Sequence, residues 1–366
     1  MNRRARLIAF YLPQFHPIPE NDEWWGKGFT EWTNAAKAKP MFRHHYQPHL
    51  PADLGFYDLR VPETREAQAE MAREHGIEAF CYYHYWFAGR QLLERPFNEV
   101  VSSGKPDFPF CLCWANETWT GIWHGASDRI LVEQTYPGDD DHRAHFNSLL
   151  TAFTDDRHLT VNGKPVFVIF RPLQIPNVHH VTDLWREMAL KAGLKGLHLV
   201  ASHGNPWWDP RTSGFDASTN APLPDLRPWI SRRQLFRWAR QRYETVAGLP
   251  TIYRYEEAID LLMPVAVDGF DNYPCVIHAW DNSPRSGRNG LVLHGSTPEL
   301  FRRVLRGALA VRPRVPVEEK LIFLKSWNEW AEGNHLEPDL KFGRGYLEVI
   351  KEEISDSVLP ASRAES

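Results

Sequence analysis

Two glutamates lie three residues apart near the C-terminal end of the sequence, directly after an apolar run. Glu329 and Glu332 follow Leu321–Trp327, within the sequence Asn-Glu-Trp-Ala-Glu-Gly. Such a run is typical of a buried strand, and parallel sheets carry their ligands at the carboxyl ends of strands. If a helical turn follows, the two carboxylates share one face, with Cβ atoms roughly 5–6 Å apart. Paired carboxylates beside tryptophans favour glycosidic-bond cleavage, because an oxocarbenium-like transition state needs an acid and a base or nucleophile.

Two other interpretations of these acids stay open. Both could charge the first turn of a helix, which favours negative residues. Asn116-Glu117 repeats the dipeptide Asn328-Glu329 after another apolar run, so Glu117 and Glu329 form an alternative catalytic pair. Otherwise we expect Glu117 to bind a sugar hydroxyl or to hold Arg171 in place.

Short apolar runs alternate with amphipathic helical patterns along the whole chain. The predicted strands are Leu7–Leu12, Ile77–Tyr83, Phe108–Trp114, Val166–Phe170, Leu197–Ser202, Phe215–Ser218, Cys275–Trp280 and Leu321–Trp327. The predicted helices are Glu63–His75, His142–Phe153, Thr182–Ala192, Ser231–Val246 and Pro298–Val311. This alternation indicates a parallel sheet, and continuous rather than alternating hydrophobicity indicates strands buried on both faces. We therefore predict an α/β fold, a (β/α)8 TIM barrel with long decorated βα loops, as one catalytic domain over residues 1–355 with a polar tail over 356–366.

Polar and aromatic residues follow most of these strands, at the barrel face where active sites lie. The predicted substrate-binding residues, including those of the family motifs described below, are Tyr11, Gln14, His16, Trp32, His84, Tyr85, Trp86, Asn116, Glu117, Arg171, His203, Trp280, Asp281, Asn328 and Trp330. The chain also has 15 Trp, 12 Tyr and 20 Phe. Aromatic faces of this kind bury the C–H surfaces of sugars while leaving their hydroxyls free for polar partners.

The segment between the first strand and the first long helix is Pro-rich and crowded with tryptophan, glutamate and histidine. About forty irregular residues form an unusually long connection, and such loops tend to be functional. We expect this segment to form a wall of the substrate cleft. Its histidines, His44, His45 and His49, have no cysteine or paired carboxylate at ligand spacing, so we predict no metal site there.

Composition excludes several other classes of function. The net charge of −4 gives no reason to expect nucleic acid or an anionic membrane as a partner. No apolar stretch approaches the ~20 residues of a membrane span, the N-terminal apolar run is too short for a signal peptide, and the four cysteines lie in apolar strand-like runs as reduced thiols, so we expect a cytoplasmic protein. No Gly-rich phosphate loop follows any strand, and no cofactor is predicted. The Asp-x-Asp of Asp139-Asp140-Asp141 is interpreted as a helix N-terminus rather than a metal and sugar-nucleotide site.

The sequence also resembles known families. The segment from Trp327 to Gly333 is similar to the Asn-Glu-Trp-x-Glu-Gly signature of glycoside hydrolase family 99, the endo-α-mannosidases, with Ala331 where that family has His. Ile8–Pro17, Gly28–Trp32 and His45–Pro48 resemble the related WbsX-like family of bacterial surface-polysaccharide genes, commonly labelled glycosyltransferases. The WbsX-like resemblance covers residues 6–348, whereas the likeness to family 99 depends mainly on the C-terminal motif.

These resemblances imply a function and two roles. The predicted activity is that of a retaining glycoside hydrolase cleaving α-linked mannose-like or deoxyhexose residues in a bacterial polysaccharide. Glu332 would be the general acid and then general base, while Glu329 would deprotonate the sugar 2-hydroxyl, which attacks through an epoxide-like intermediate. Residue spacing alone equally allows Glu329 to be a direct nucleophile. The alternative is a glycosyltransferase or transglycosylase in the biosynthesis of lipopolysaccharide O-antigen or another surface polysaccharide.

Overall fold

Eight parallel strands form a barrel in the computed structural model, which describes residues 3–121, 126–220, 242, 244, 246–311 and 315–355. The strands are β1 Arg6–Tyr11, β2 Ala79–Phe87, β3 Phe110–Trp114, β4 Lys164–Ile169, β5 His198–Ser202, β6 Ala217–Thr219, β7 with its two halves Asp271–Tyr273 and Cys275–Val276, and β8 Leu321–Leu324. Each strand predicted from the sequence overlaps one of these. The fold is therefore the predicted (β/α)8 barrel.

The seventh strand closes the barrel through two halves that are separated by Pro274. Its first half pairs with β6, and its second half pairs with β8. At the interruption, the backbone N–H of Phe323 donates to the carbonyl of Pro274 at 2.8 Å. Proline lacks an N–H and cannot continue a ladder, so a break in strand pairing is expected at this position. The nine parallel segments of the sheet thus belong to eight strands.

The helices of the described residues surround this barrel and decorate its loops. They are α1 Pro19–Trp25, α2 Glu31–Lys37, α3 Pro62–Glu74, α4 Arg95–Ser103, α5 Asp139–Phe153, α6 Val178–Lys191, α7 Tyr255–Leu262, α8 Ser283–Ser286, α9 Pro298–Ala310 and α10 Gly345–Ile354. The strands outside the barrel are Arg90–Leu92, Trp119–Gly121, Ala126–Val132, Thr160–Val161, Thr251–Arg254, Trp280–Asp281, Leu291–His294, Asn328–Glu329 and Asn334–His335. None of the described helices combines the length and apolar composition that crossing a bilayer requires.

Two segments do not simply match the sequence predictions. The connection after β1 is not wholly irregular, because α1 and α2 lie within it. Pro19 opens α1, and α2 begins with a capping box between Thr30 and Thr33, so local end signals build these short helices where no apolar period was visible. The predicted helix Ser231–Val246, apart from residues 242, 244 and 246, and the tail 356–366 lie outside the described residues.

Side chains alternate between the barrel interior and the surrounding helices along each strand. Ile8 and Phe10 of β1 point inward, whereas Leu7, Ala9 and Tyr11 pack in the outer layer. All four cysteines lie in the interior cluster as free, buried thiols, as the sequence predicted: Cys81, Cys111, Cys113 and Cys275. This alternation decides which strand-end residues reach the carboxyl-end face of the interior.

Candidate active site

The two motif glutamates lie directly after β8, on a turn that two neighbouring side chains hold in place. The Ser326 hydroxyl accepts the backbone N–H groups of Asn328 and Glu329 at 3.1 and 2.9 Å. The Asn328 side chain accepts the N–H of Leu12 at 2.7 Å and donates to its carbonyl at 3.0 Å. Asn328 therefore fixes the turn to the end of β1.

One guanidinium group holds both carboxylates. Arg285, on the short helix α8, donates through Nη1 to Glu332 at 2.6 Å and through Nη2 to Glu329 at 2.8 Å. The same Nη2 donates to Glu31 at 2.5 Å. Glu31 is fully buried and also accepts the backbone N–H of Ala331 at 3.2 Å. The turn is a single 3₁₀ turn rather than an α-helix, and the bridging arginine brings both acids to one side of it.

Burial changes the acidity of this pair. Burial raises the pKa of Glu329 to about 8, and repulsion from Glu332 adds to the effect against the attraction of Arg285. Burial also raises the pKa of Glu332, while Arg285 and Lys325 oppose that change. The pKa values of both acids are therefore shifted in the same direction. The raised pKa values favour a neutral carboxyl of the kind that a general acid requires, while Arg285 favours the ionised carboxylate that a base requires.

The pair opens into a cleft of about 530 Å³ at the carboxyl end of the barrel. Tyr83 and Phe170 form its floor, because both line the cleft and pack on the interior cluster. Lys325 lines it as well, with Nζ 5.6 Å from the centroid of the Trp280 ring. Aromatic side chains make up much of the remaining wall: Trp25, Phe29, Tyr85, Trp119 and Trp280. The connection after β1 contributes to this wall, as expected from the sequence.

The structure brings seven of the predicted site residues together around this cleft. They are Gln14, Tyr85, Glu117, Arg171, Trp280, Glu329 and Glu332. Arg171 donates to Glu117 at 2.7 Å, so the expected contact between these two residues is present. Glu117 lines the same cleft as Glu329 without contact to Arg285, within the described residues.

The other predicted residues do not line the cleft. On the strands the reason is alternation: Tyr11, His84 and Trp86 have the outward register and hydrogen-bond Gln68, His145 and Asp141 on α3 and α5. The remaining seven hydrogen-bond within the protein as follows: His16 to Pro13, Trp32 to Tyr57, Asn116 to Tyr136 and Arg171, His203 to Asn205, Asp281 to His45 and Gln47, Asn328 to Leu12, and Trp330 to Glu337. These partners give each side chain a role in packing or in positioning the loops.

Three charged residues of the site were not predicted from the sequence. Arg285 and Glu31 belong to the loops after β7 and β1, and only the fold brings them to the motif. Glu31 did stand within the motif Gly-Phe-Thr-Glu-Trp and in the segment expected to form the cleft wall, but no contact with the motif glutamates was predicted for it. Lys325 could have been predicted from the sequence. A lysine directly after a fully apolar strand is costly to bury unless it is paired or functional.

The aspartate triplet lies at the start of α5, as predicted. Asp139 pairs with His180 at 2.9 Å, and Asp141 accepts the indole N–H of Trp86 at 3.1 Å. None of the three lines the cleft.

Removal of one carboxyl of the pair should change the pKa of the other. Glu332→Gln should lower the pKa of Glu329 below about 8, because it removes a neighbouring negative charge that raises that pKa. Carbon NMR of the side-chain carboxyl through a pH titration measures the value directly. Glu117→Gln, which changes a cleft carboxylate outside the Arg285 cluster, should leave the pKa of Glu329 unchanged. An unchanged pKa in Glu332→Gln would mean that the two carboxyls do not interact.

Comparisons with known proteins show the family and the fold of this chain. A protein-family model described as Glycosyltransferase WbsX matches residues 7–350. The chain belongs to the WbsX family. The uncharacterized protein WxcX of Xanthomonas campestris pv. campestris (strain B100) is 39% identical over 355 residues, which is 96% of this chain and 50% of WxcX. This WbsX-family chain thus spans about half the length of the curated relatives that it matches.

Two solved structures share the fold of this WbsX-family chain. One, described as a glycoside hydrolase-like protein, has a TM-score of 0.58 and 15% identity over 96% of this chain and 94% of its own. The other is the GH99 endo-alpha-mannosidase from Bacteroides thetaiotaomicron in complex with BIS-TRIS-propane, with a TM-score of 0.53 and 14% identity over 95% of both chains. At identities of 14–15%, these likenesses concern the fold alone.

Proposed function

We propose that this protein is a retaining glycoside hydrolase acting on α-linked mannose-like or deoxyhexose residues of a bacterial polysaccharide. The observation that carries the proposal is the pair Glu329 and Glu332, which line an aromatic cleft and are held by one arginine, with both pKa values raised. A pair with one proton supplies both roles that glycosidic cleavage needs. The resemblance of the motif to the endo-α-mannosidases supports the choice of substrate class.

The first step breaks the glycosidic bond. The carboxyl group of Glu332 gives its proton to the leaving oxygen as the bond from that oxygen to the anomeric carbon breaks. The carboxylate of Glu329 takes the proton of the sugar 2-hydroxyl, and the 2-oxygen bonds to the anomeric carbon. The resulting 1,2-anhydro sugar occupies the cleft beside a protonated Glu329 and an ionised Glu332.

The second step reverses the proton roles. Glu332 takes a proton from water, whose oxygen bonds to the anomeric carbon and opens the strained ring. Glu329 returns its proton to the 2-oxygen. Two inversions give net retention of configuration, and both acids regain their starting states. Direct attack by Glu329 on the anomeric carbon uses the same residues and also gives retention, but its intermediate is a covalent ester.

The second candidate function is a glycosyltransferase or transglycosylase of surface-polysaccharide assembly. The description of the family favours it. The acid pair supports hydrolysis instead, because it provides both proton transfers without a nucleotide leaving group. The engaged side chains of Asp139 and Asp141, outside the cleft, offer little support for a metal and sugar-nucleotide site.

The two candidates differ in what the reaction requires. Purified protein should release sugars from bacterial surface polysaccharides, or an aryl group from aryl α-mannosides and α-deoxyhexosides, without a sugar nucleotide or added Mn²⁺. Proton NMR during turnover should show the first product anomer with the configuration of the substrate. Glu329→Gln is the inactive control. Product that forms only with a sugar nucleotide and an acceptor would overturn the hydrolase proposal and direct mutagenesis to Asp139 and Asp141.

A further inference from the structure

A second cluster of chemically versatile side chains lies beside the active site but outside its cleft. His49, from the loop after β1, and His335 and Asp339, from the segment after the acid pair, are 9%, 6% and 3% exposed. One ligand atom from each lies within 4.8 Å of the others. Nδ1 of His49 is 2.8 Å from Nε2 of His335, and that nitrogen is 3.9 Å from Oδ2 of Asp339.

Backbone contacts orient two of these side chains toward the centre of the cluster. Nδ1 of His335 lies 2.9 Å from the carbonyl of Glu337, which must accept its proton, so Nε2 keeps a free lone pair. Oδ1 of Asp339 accepts the N–H groups of Lys341 and Phe342 at 3.0 and 2.6 Å, which leaves Oδ2 directed at His335. An imidazole whose other nitrogen donates to a carbonyl is the usual second-shell arrangement of a metal ligand.

We propose that His49, His335 and Asp339 bind a divalent first-row transition ion, Zn²⁺ being the best fit. Two imidazoles and a carboxylate form a donor set that such ions prefer and that Ca²⁺ and Mg²⁺ do not. Zn–N distances of about 2.0–2.1 Å place tetrahedral ligand atoms roughly 3.3 Å apart, between the observed 2.8 and 3.9 Å. A cavity of about 70 Å³ lined by all three side chains leaves room for a fourth, water ligand.

The ion would join two segments that meet at the catalytic turn. His335 pairs directly with Asn328 in the short antiparallel ladder that carries Glu329. The loop that carries His49 already contacts the other segment, since Leu340 donates its N–H to the carbonyl of Leu50 at 3.0 Å. We assign the ion to holding this hairpin against the loop, because its ligands line a cavity other than the one that Glu329 and Glu332 line. The spacing of the histidines could not reveal this site, since two of its ligands come from the far end of the chain.

Metal content tests this proposal independently of activity. Protein stripped with a chelator and dialysed against ZnCl₂ should retain about one zinc ion per chain by elemental analysis, and Co²⁺ should give the visible absorption of a tetrahedral site. Asp339→Asn keeps an Oδ1 acceptor for the two backbone N–H groups but loses the charged ligand oxygen. It should bind zinc at least ~100-fold more weakly than the parent protein.

Asp58→Asn is the matched control, because Oδ1 of Asp58 likewise accepts a backbone N–H two residues on, from Arg60 at 2.8 Å. This variant should bind zinc like the parent protein, and zinc should raise the melting temperature of both but not of Asp339→Asn. If Asp339→Asn does not fold, His49→Gln takes its place. A parent protein that binds no zinc, or equal zinc binding in parent and Asp339→Asn, would overturn the proposal and leave the two imidazoles as a hydrogen-bonded pair only.

Discussion

Glu332→Gln should nearly abolish the hydrolysis of glycosides with poor leaving groups while sparing much of the activity on those with activated aryl leaving groups. A poor leaving oxygen needs the proton that Glu332 supplies in the proposed mechanism, and an activated one departs as a stable anion without it. Loss of a general acid typically costs about 10²–10⁴-fold in rate. We therefore expect a decrease of that size in kcat/KM on natural linkages and a much smaller one on activated aryl glycosides.

Glu117→Gln is the comparison that separates a general acid from a residue that contacts the sugar. Both residues line the cleft, but only Glu332 contacts Arg285, within the described residues. Glu117→Gln should affect both kinds of substrate to the same degree. Circular dichroism should show intact folds in both variants. The reverse pattern, with leaving-group dependence in Glu117→Gln alone, would favour the pair of Glu117 and Glu329.

Arg285→Met should lower the free energy of unfolding at neutral pH by about 3–5 kcal/mol, the usual cost of leaving buried charges without their partner. Arg285 is the shared ion-pair partner of Glu31, Glu329 and Glu332. Without it, three buried carboxyls repel one another, and their neutral forms are favoured. Activity should fall as well, because the pair can no longer keep one carboxylate ionised for use as a base.

The loss of stability in Arg285→Met should depend on pH in a definite direction. The pKa of Glu329 is about 8 in the folded protein, against an ordinary value of 4.5, so folding is coupled to proton uptake. The stability that this proton uptake contributes is complete below about pH 4.5, and it is lost as the pH rises through the folded-state pKa of Glu329. Removal of Arg285 raises the folded-state pKa of Glu329 further. The variant should therefore recover much of its stability when the pH is lowered from 8 to 5.

Urea unfolding at several pH values measures this effect, and Arg60→Met provides the control. Arg60 pairs with Asp58 on the surface, with 40% of its side chain exposed. Loss of such a pair costs less than about 1 kcal/mol. Equal destabilisation of the two variants, or a cost for Arg285→Met that does not change with pH, would contradict the buried cluster described for the site.

The sequence predicted the barrel well because its signals are local. Continuous apolar runs such as Leu321–Trp327 indicate strands buried on both faces, and the helices between them carry their own periodicity. The ends were less well predicted: β2 continues to Phe87, beyond the expected Tyr83, because its last residues pair with Arg90–Leu92 in a hairpin. A hairpin depends on its partner strand, which an apolar run does not reveal.

The site was predicted in part for the same reason. Glu329 and Glu332 stand three residues apart in one motif, so their type and spacing suffice. Tyr85 and His84 are also neighbours, yet only Tyr85 faces the cleft, and a shift of one residue in strand register would exchange them. Arg285 and Glu31 enter through contacts between loops distant in sequence, and no local pattern encodes such contacts.

The position of β1 has a consequence for how the chain reaches its folded state. This strand lies between β2, its neighbour in sequence, and β8, which is synthesised last among the eight barrel strands. Until β8 is available, one edge of β1 presents unpaired backbone N–H and C=O groups to any other strand. Pairing between elements so distant in sequence also slows folding. A nascent or truncated chain ending before Leu321 should therefore aggregate readily, and recombinant yield should depend strongly on chaperones that bind exposed strand edges.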